Sequence, residues 1–400
     1  MLTARTESAQ VAARVAATIR SRETVARTYF AEYAAAIATA AQAIAARLAS
    51  GGRLYAFGRG PYATDAQHVA VEFVHPVLVG KRALAACDVS MSFEAALPVI
   101  ARPGDVAVGF GPPRGDPEVE RALSAARARG VYTVALPGAD ADFAMSPPSP
   151  DEHVHQEIAE LLGHVLYESV QVFLEHRGLD RDAGASSFLY PFLGGPQHDP
   201  AALLADVTAS IVAKSLEADA LRERVAQEES ATIAAAAATI AAEVRAGGRL
   251  LLFGNGGSAT DATDWAIDCV APPEGLRPIG ALSLSAEPAT ITAIANDVGR
   301  DAIFLRQLIA QVRPHDVVVA LSTSGGSLNV IAALEEARKR GNRTIALLGY
   351  DGGEIRRRAL ADHIIVVRSD YIPRIQEAQA TIYHTMRHAI DWFLDDARAV

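Results

Sequence analysis

Cysteine is nearly absent. Cys87 and Cys269 are the only two in 400 residues, which excludes a disulfide framework and a cysteine zinc cluster. Long apolar runs are also missing. The most apolar stretch, Thr232 to Val244, is mostly alanine and too short to span a bilayer, so no membrane association is expected. The opening residues, MLTARTESAQ, are polar and carry no apolar h-region, so a secretory signal is not expected and a cytoplasmic location is. Basic charge is in deficit, with 37 Lys and Arg against 47 Asp and Glu, a net charge of −10. Such a chain is a poor general binder of phosphate backbones, so no nucleic-acid partner is expected. A small phosphorylated ligand held by local dipoles remains open. The composition is 50% hydrophobic and 21% charged, which is globular, and the length suits two domains.

The chain repeats itself. Gly51-Gly52-Arg53-Leu54 recurs as Gly247-Gly248-Arg249-Leu250, followed by YAFGRGPYATDA in the first copy and LLFGNGGSATDA in the second. Arg102-Pro103-Gly104-Asp105-Val106 matches Arg313-Pro314-His315-Asp316-Val317, and Gln156-Glu157 with His164 matches Gln376-Glu377 with His384 at the same spacing. Three anchors in one order indicate a tandem duplication in which each copy is a domain. Residues 1–177 form the first and residues 201–400 the second. The segment between them, residues 178–200, is rich in Gly, Pro and Asp and reads as a linker. It carries Phe188 to Leu193, an apolar run expected to pack across the domain boundary.

Each copy reads as helix, then alternating strand and helix. The second opens with alanine-rich helix from about Ala202 to Arg245, stopped by Gly247-Gly248. Short apolar runs follow at Leu250–Phe253, Ile279–Leu284, Val317–Leu321, Thr344–Leu348 and Ile364–Val367, with a helical pattern at Asn329–Arg340. The first copy offers Leu54–Phe57, Ala83–Ala86, Val106–Phe110, Tyr132–Leu136 and a weaker fifth run at Asp142–Met145. Continuous apolar runs joined by helices predict an α/β fold, with a parallel sheet covered on both faces. The first copy lacks a counterpart to roughly Pro288–Arg300.

The main phosphate signal is Ser322-Thr323-Ser324-Gly325-Gly326-Ser327, which follows a buried strand and opens a helix near Leu328. Free N–H groups and the dipole at a helix start attract an anion, and the hydroxyls add donors. An ordinary capped turn needs fewer of them. No Lys stands at the P-loop position, which argues against a nucleoside triphosphate. A second strand-to-helix turn, Gly254-Asn255-Gly256-Gly257-Ser258, satisfies GxGxxA together with Ala259. A dinucleotide site wants an acidic residue at the end of the next strand, and that strand ends in Ser283-Leu284-Ser285, so no nucleotide cofactor is expected. In the first copy these turns become Gly58-Arg59-Gly60-Pro61-Tyr62 and Gly111-Pro112-Pro113-Arg114-Gly115. Two prolines remove amide donors and no hydroxyl remains, although Arg114 could still meet an anion.

The first copy holds a different set. His68 and Glu72 are four apart on a predicted helix, hence on one face. Gln156 and His164 are eight apart, a span of roughly 12 Å along a helix, and their side chains could bracket one ion. His153 and His155 stand just before. His68, Glu72, Gln156 and His164 are plausible ligands for zinc or a similar divalent metal. The same groups could serve as acid and base without metal. A lone His/Glu pair is ordinarily a surface ion pair; its occurrence with the Gln/His pair favours a site. The second copy has Asp264 and Asp268 in the matching places, with Gln376 and His384 retained.

GNGGSATDA, AIANDVGRDAIF, LSTSGGSLNV, LLGYDGG and RIQEAQATIYH resemble the sugar isomerase (SIS) family, and within it the phosphoheptose isomerases, which convert sedoheptulose 7-phosphate to D-glycero-D-manno-heptose 7-phosphate. The resemblance covers nearly all of the second copy and, more faintly, the first. It implies two tandem SIS domains, each a three-layer αβα sandwich on a five-stranded parallel sheet. Single-domain relatives form tetramers with sites at subunit interfaces, which implies a homodimer reproducing four domains. Carried over, phosphate binding falls on Ser258, Ser322, Thr323, Ser324 and Ser327, with the neighbouring turn residues Asn255, Gly256 and Gly257. The substrate-binding pair falls on Asn296 and Asp297. The base falls on Glu72, or Asp268 in the second copy, and the acid on His164, or His384. The metal-associated residues fall on His68 and Gln156, with Gln376 retained in the second copy. An arginine four residues beyond the base in the family is Pro76 and Pro272 here, which leaves the sugar open. The losses are complementary, which suggests one active site drawing acid–base groups from the first domain and a phosphate cradle from the second. The alternatives are isomerisation of another sugar phosphate, a copy drifted into a scaffold, or a non-catalytic member binding a phosphosugar or a protein.

Overall fold

The structure, a computed structural model, describes residues 2–76, 81–178 and 200–396. The expected linker and its Phe188–Leu193 run lie outside the described residues, apart from Gly178 and Pro200 at its ends. In chain order the elements are α1 (Leu2–Arg20), α2 (Glu23–Ala49), β1 (Leu54–Phe57), α3 (Tyr62–Val74), β2 (Ala86–Asp88), α4 (Phe93–Ile100), β3 (Val106–Phe110), α5 (Pro117–Arg127), β4 (Tyr132–Leu136), β5 (Phe143–Ala144) and α6 (Glu152–Gly178). They continue with α7 (Pro200–Glu228), α8 (Ser230–Arg245), β6 (Leu250–Phe253), α9 (Gly257–Val270), β7 (Ala281–Ser283), α10 (Pro288–Asp297), a 3-10 turn (Arg300–Ala302) and α11 (Ile303–Gln311). The last are β8 (Val317–Ser322), α12 (Leu328–Lys339), β9 (Arg343–Gly349), α13 (Gly353–Arg357), β10 (His363–Val367) and α14 (Ile372–Asp396).

Two compact units result. Unit 1 is Met1–Glu23 with Ala220–Val400, and unit 2 is Thr24–Asp219. Packing therefore divides the chain differently from the order of the repeats. Val11, Val15 and Ile19 of α1 belong to the core of unit 1, while Leu203, Val207 and Ile211 of α7 belong to that of unit 2. The repeat anchors begin at Gly51 and Gly247, so they carry no information about where the preceding helices pack. The helical stretch expected over about Ala202–Arg245 forms two helices, parted at Glu229 (φ −114°, ψ −7°).

Each unit holds a five-stranded, all-parallel sheet, β2-β1-β3-β4-β5 in unit 2 and β10-β9-β8-β6-β7 in unit 1. The sequence reason is side-chain alternation on strands that are apolar throughout. Leu250, Leu252, Val317 and Val319 enter one core cluster, while Leu251, Phe253, Val318 and Ala320 enter another. In unit 2, Leu54, Ala56, Val106 and Val108 face one way and Tyr55, Phe57 and Ala107 the other. Both faces are thus covered, giving three layers. The strand expected at Ala83–Ala86 runs instead over Ala86–Asp88, and Ser90 just beyond it accepts from Gly58 N of the first turn at 3.1 Å. The strand order reverses between β1 and β3 and between β6 and β8, and at such a switch point the loops leaving the carboxyl ends open a crevice.

Candidate functional site

In unit 1 two turns flank the switch point. The turn after β6 starts α9 at Gly256, whose φ of 57° and ψ of −128° suit glycine. A Cβ on Gly254 would lie 2.4 Å from the Ser258 carbonyl, so this turn closes only without a side chain. Ser285 Oγ accepts from Gly254 N at 3.2 Å, so the strand end without an acidic residue serves as a brace for this turn. The turn after β8 is held from behind: Ile355 N donates to Gly325 O at 2.9 Å and Gly349 N to Thr323 O at 3.0 Å. Gly325 N donates to Ser322 Oγ at 3.1 Å and Gly326 N to Ser324 Oγ at 3.3 Å. Ser327 caps α12 by position but makes no side-chain cap bond, so that helix start keeps donors for an anion. Ser322 and Ser258 are buried, Thr323 and Ser327 half-buried, and Ser324 and Asn255 exposed.

Asn255 and Asn329 exchange amide bonds at 3.0 and 2.8 Å, tying the two turns together. The sequence reading missed Asn329, although its place two residues after Ser327 in the loop's own motif was a usable signal. Asn296 and Asp297 lie at the end of α10, both exposed, with Asn296 Nδ2 donating to Asp297 Oδ1 at 2.7 Å. Deeper in unit 1, His384 Nε2 stands 3.2 Å from Asp268 Oδ2 and 3.5 Å from Asp264 Oδ2. Tyr383 donates to Asp264 at 2.8 Å. Gln376 is buried on the same helix, α14.

Unit 2 has filled its corresponding anion position. Asp116 accepts from Glu118 N at 2.9 Å and Val119 N at 3.2 Å, so a carboxylate occupies the start of α5. Its charge repels a phosphate. Arg114, the expected anion partner of this loop, pairs with Glu152 at 3.3 Å, and Arg59 pairs with Glu118 and, at 3.6 Å, with Asp116. Buried His155 donates its Nε2 proton to Gly111 O at 3.0 Å, pinning the altered loop; burial lowers its pKa to about 4, so the ring is neutral.

The other expected set in unit 2 comes together on α3 and α6. His68 Nε2 lies 3.1 Å from His164 Nε2 and 4.0 Å from Glu72 Oε1. His68, Glu72 and His164 are 6%, 2% and 1% exposed. They line a narrow cleft of about 10 Å³ with Asp65, Glu160 and Phe110. Glu72 has its pKa raised to about 7, chiefly by burial, with His68 opposing and Glu168 adding to the rise. Gln156 is buried too, but its amide donates to Pro61 O at 3.4 Å.

One residue of this cleft was not foreseen. Ligand atoms of His68, Glu160 and His164 lie within 4.8 Å of one another. Glu160 is four residues after Gln156 and four before His164, so helical spacing alone would have put it on their face. Zinc, implied by the family resemblance, can be tested against this donor set. Two imidazole nitrogens about 2.0–2.1 Å from one tetrahedral ion are roughly 3.3 Å apart, close to the observed 3.1 Å. Two imidazoles and a carboxylate therefore fit zinc or a similar divalent ion.

The SIS domain family model matches residues 216–349. The phosphoheptose isomerase of Solidesulfovibrio magneticus is 42% identical over 182 residues, covering 45% of this chain and 88% of that protein. The phosphoheptose isomerase of Pelobacter propionicus is 43% identical over 183 residues, covering 46% and 94%. Among solved structures, the C-terminal domain of glucosamine-fructose-6-phosphate aminotransferase from Francisella tularensis matches with a TM-score of 0.62 at 10% identity, covering 94% of this chain and 95% of that one. Tagatose-6-phosphate ketose/aldose isomerase from Escherichia coli matches with a TM-score of 0.56 at 14% identity, covering 95% and 92%. At such identities the two structures speak for the fold alone.

Proposed function

The chain belongs to the SIS domain family, duplicated in tandem, and from that premise we propose that it is an aldose–ketose isomerase acting on sedoheptulose 7-phosphate. The product is D-glycero-D-manno-heptose 7-phosphate. The observation that carries this reading is the buried Glu72, raised to about pH 7, beside the His68–His164 pair. A general base works best with a pKa near the operating pH.

Glu72 takes the proton from C1 of the ketose while His164 gives a proton to the C2 carbonyl oxygen. The enediol that forms then returns to the aldose as the C1 hydroxyl gives up its proton to the histidine and Glu72 delivers its proton to C2. No proton is lost or gained overall. His68, Glu160 and His164 would alternatively hold a divalent cation, whose Lewis acidity toward a carbonyl oxygen would stand in for the proton that a ligated His164 no longer gives. The serine-rich loop of unit 1 holds the substrate phosphate, far from the reacting carbons, and uses that remote binding energy to position them. Each unit carries one half-set: unit 2 has a carboxylate at the start of α5, and unit 1 has aspartates in place of His68 and Glu72.

Pro76 and Pro272, standing where the family has an arginine, favour a second reading in which the sugar is another ketose phosphate. NMR of the product formed from sedoheptulose 7-phosphate, and from a pentulose phosphate in parallel, separates the two. Glu72→Gln is expected to abolish exchange of solvent deuterium into substrate; full exchange in that variant overturns the assignment of the base.

A further inference from the structure

At the opposite end of strand β8 from the serine-rich loop, unit 1 opens a concave corner. Its cavity of about 480 Å³ is lined by the turn before β8, the turn before β9 and the end of α8. Three guanidiniums, Arg313, Arg340 and Arg343, and the His315 imidazole line it with a single carboxylate, Glu243. In a chain of net charge −10 this is a local excess of cation. The strand's residues Val317–Ser322 put roughly 16 Å between this corner and the loop, so the two are separate.

The duplication supplies a comparison. Gly248 N bonds Glu243 O as Gly52 N bonds Arg47 O, and Val317 pairs with Arg343 as Val106 pairs with Tyr132. In unit 2 the corner is filled: the Arg47 guanidinium stacks 4.3 Å above the Tyr132 ring. In unit 1 both residues are exchanged for polar ones that leave space. The turn itself has also changed. Unit 2 uses Gly104 at φ +94°, whereas unit 1 holds His315 at φ 70°. A non-glycine residue there costs about 1–2 kcal/mol, and glycine was the available alternative. His315 spends that strain on placing Nδ1 2.9 Å from Glu243 Oε2, with Arg343 3.6 Å from the same carboxylate. Arg340 is held at 2.6 Å by Glu336. The corner lies at the carbonyl ends of α8 and α12, so helix dipoles do not recruit an anion here; the side-chain cations do.

We propose that this corner is a second binding site, specific for a small sugar phosphate. The phosphate is held by Arg313 and Arg343, whose forked donors match its oxygens. Glu243, which pairs with His315 and Arg343, keeps lone pairs that accept from the sugar's hydroxyls. Neither Phe, Tyr nor Trp lines the cavity, so a nucleobase has nothing to stack on. The volume exceeds what free phosphate fills and falls within the range of small-ligand sites.

The test is calorimetric titration of the full chain with ribose 5-phosphate, AMP and inorganic phosphate. The parent is expected to take up ribose 5-phosphate in two classes of site. The Arg313→Ala/Arg343→Ala variant is expected to lose one class, its dissociation constant rising about tenfold or more. His315→Gly, which installs the duplicate's own residue and relieves the strained turn, is expected to weaken the same class several-fold without lowering the melting temperature. That variant keeps the test decisive if the double one folds poorly. Unchanged titration in both variants overturns the site. Binding of AMP or free phosphate as tight as that of ribose 5-phosphate, abolished by the same changes, overturns the sugar-phosphate assignment.

Discussion

The buried carboxyl of Glu72 should weaken its own unit as pH rises, and Glu72→Gln should remove that weakness. The side chain is 2% exposed and its pKa is raised from 4.5 to about 7. The groups facing it are His68 on its own helix and Tyr167 and Glu168 on α6. Below pH 4.5 the carboxyl is protonated in folded and unfolded chains alike and contributes nothing. Between 4.5 and 7 the unfolded chain ionises first, so the folded state loses stability with each pH unit. Above 7 both are ionised and the full deficit remains. A shift of about 2.5 units corresponds to about 3 kcal/mol. Glutamine has no proton to lose, so the stability difference between variant and parent should move by about that much in the variant's favour from pH 4.5 to pH 8. At about 2–4 °C per kcal/mol for a unit of this size, the change is roughly 6–12 °C. Calorimetric scans of chelator-treated full chain, taken at half-unit pH steps, measure it. Only the pH-dependent part counts, because the glutamine amide alters hydrogen bonding at every pH. A difference that stays flat across this range refutes the reasoning. The activity of the parent should show the complementary limb: kcat/KM falls about tenfold per unit below pH 7 as the base takes up its proton.

Other outcomes follow from particular contacts. Glu160→Gln should weaken zinc binding at least about tenfold, read by competition with a chromophoric chelator, because it removes the only carboxylate of the three-residue set. Lys214→Ala should destabilise unit 2 by about 3–5 kcal/mol in denaturant titrations, since it removes the cation paired with the fully buried Glu168; adding Glu168→Leu should restore much of the loss. Ser324→Ala should raise KM more than it lowers kcat, and Asn329→Ala should do likewise by freeing the two turns that it ties to Asn255. Light scattering should give the mass of a homodimer; a monomeric mass at full activity removes the four-domain analogy.

The parallel sheets were legible because strands buried on both faces leave continuous apolar runs, such as Val317–Leu321, that no surface element carries. Break points were less legible. The Ala202–Arg245 stretch is helical in propensity throughout, and nothing in Glu229 or Ser230 distinguishes a break from another helical turn. Which core α1 joins was not legible at all, because an apolar stripe of Val11, Val15 and Ile19 fits the face of either duplicate. At the candidate site, the serine-rich loop stood out in the sequence by hydroxyls and glycines in excess of capping. Glu160 did not, because one more glutamate on a charged helix looks like a solvated face until α3 is packed against it.

The degenerate loop of unit 2 carries the last step. Its prolines already argued against an amide cradle, but loss of donors alone would leave a weak site. Asp116 goes further, placing negative charge on the helix start and taking its two first free N–H groups. Arg59 and Arg114, the cations that could have compensated, are committed to Glu118 and Glu152. His155 then fixes the loop through Gly111. A merely drifting copy would lose hydroxyls without acquiring a carboxylate cap and a buried histidine strut in their place. Yet in the same unit the expensive feature, a buried Glu72 held near neutrality beside two histidines, persists. Relaxed constraint would have removed the destabilising carboxyl first, because its loss strengthens the fold. On the proposed function this is the pattern expected of a unit that serves proton transfer and does not itself bind phosphate.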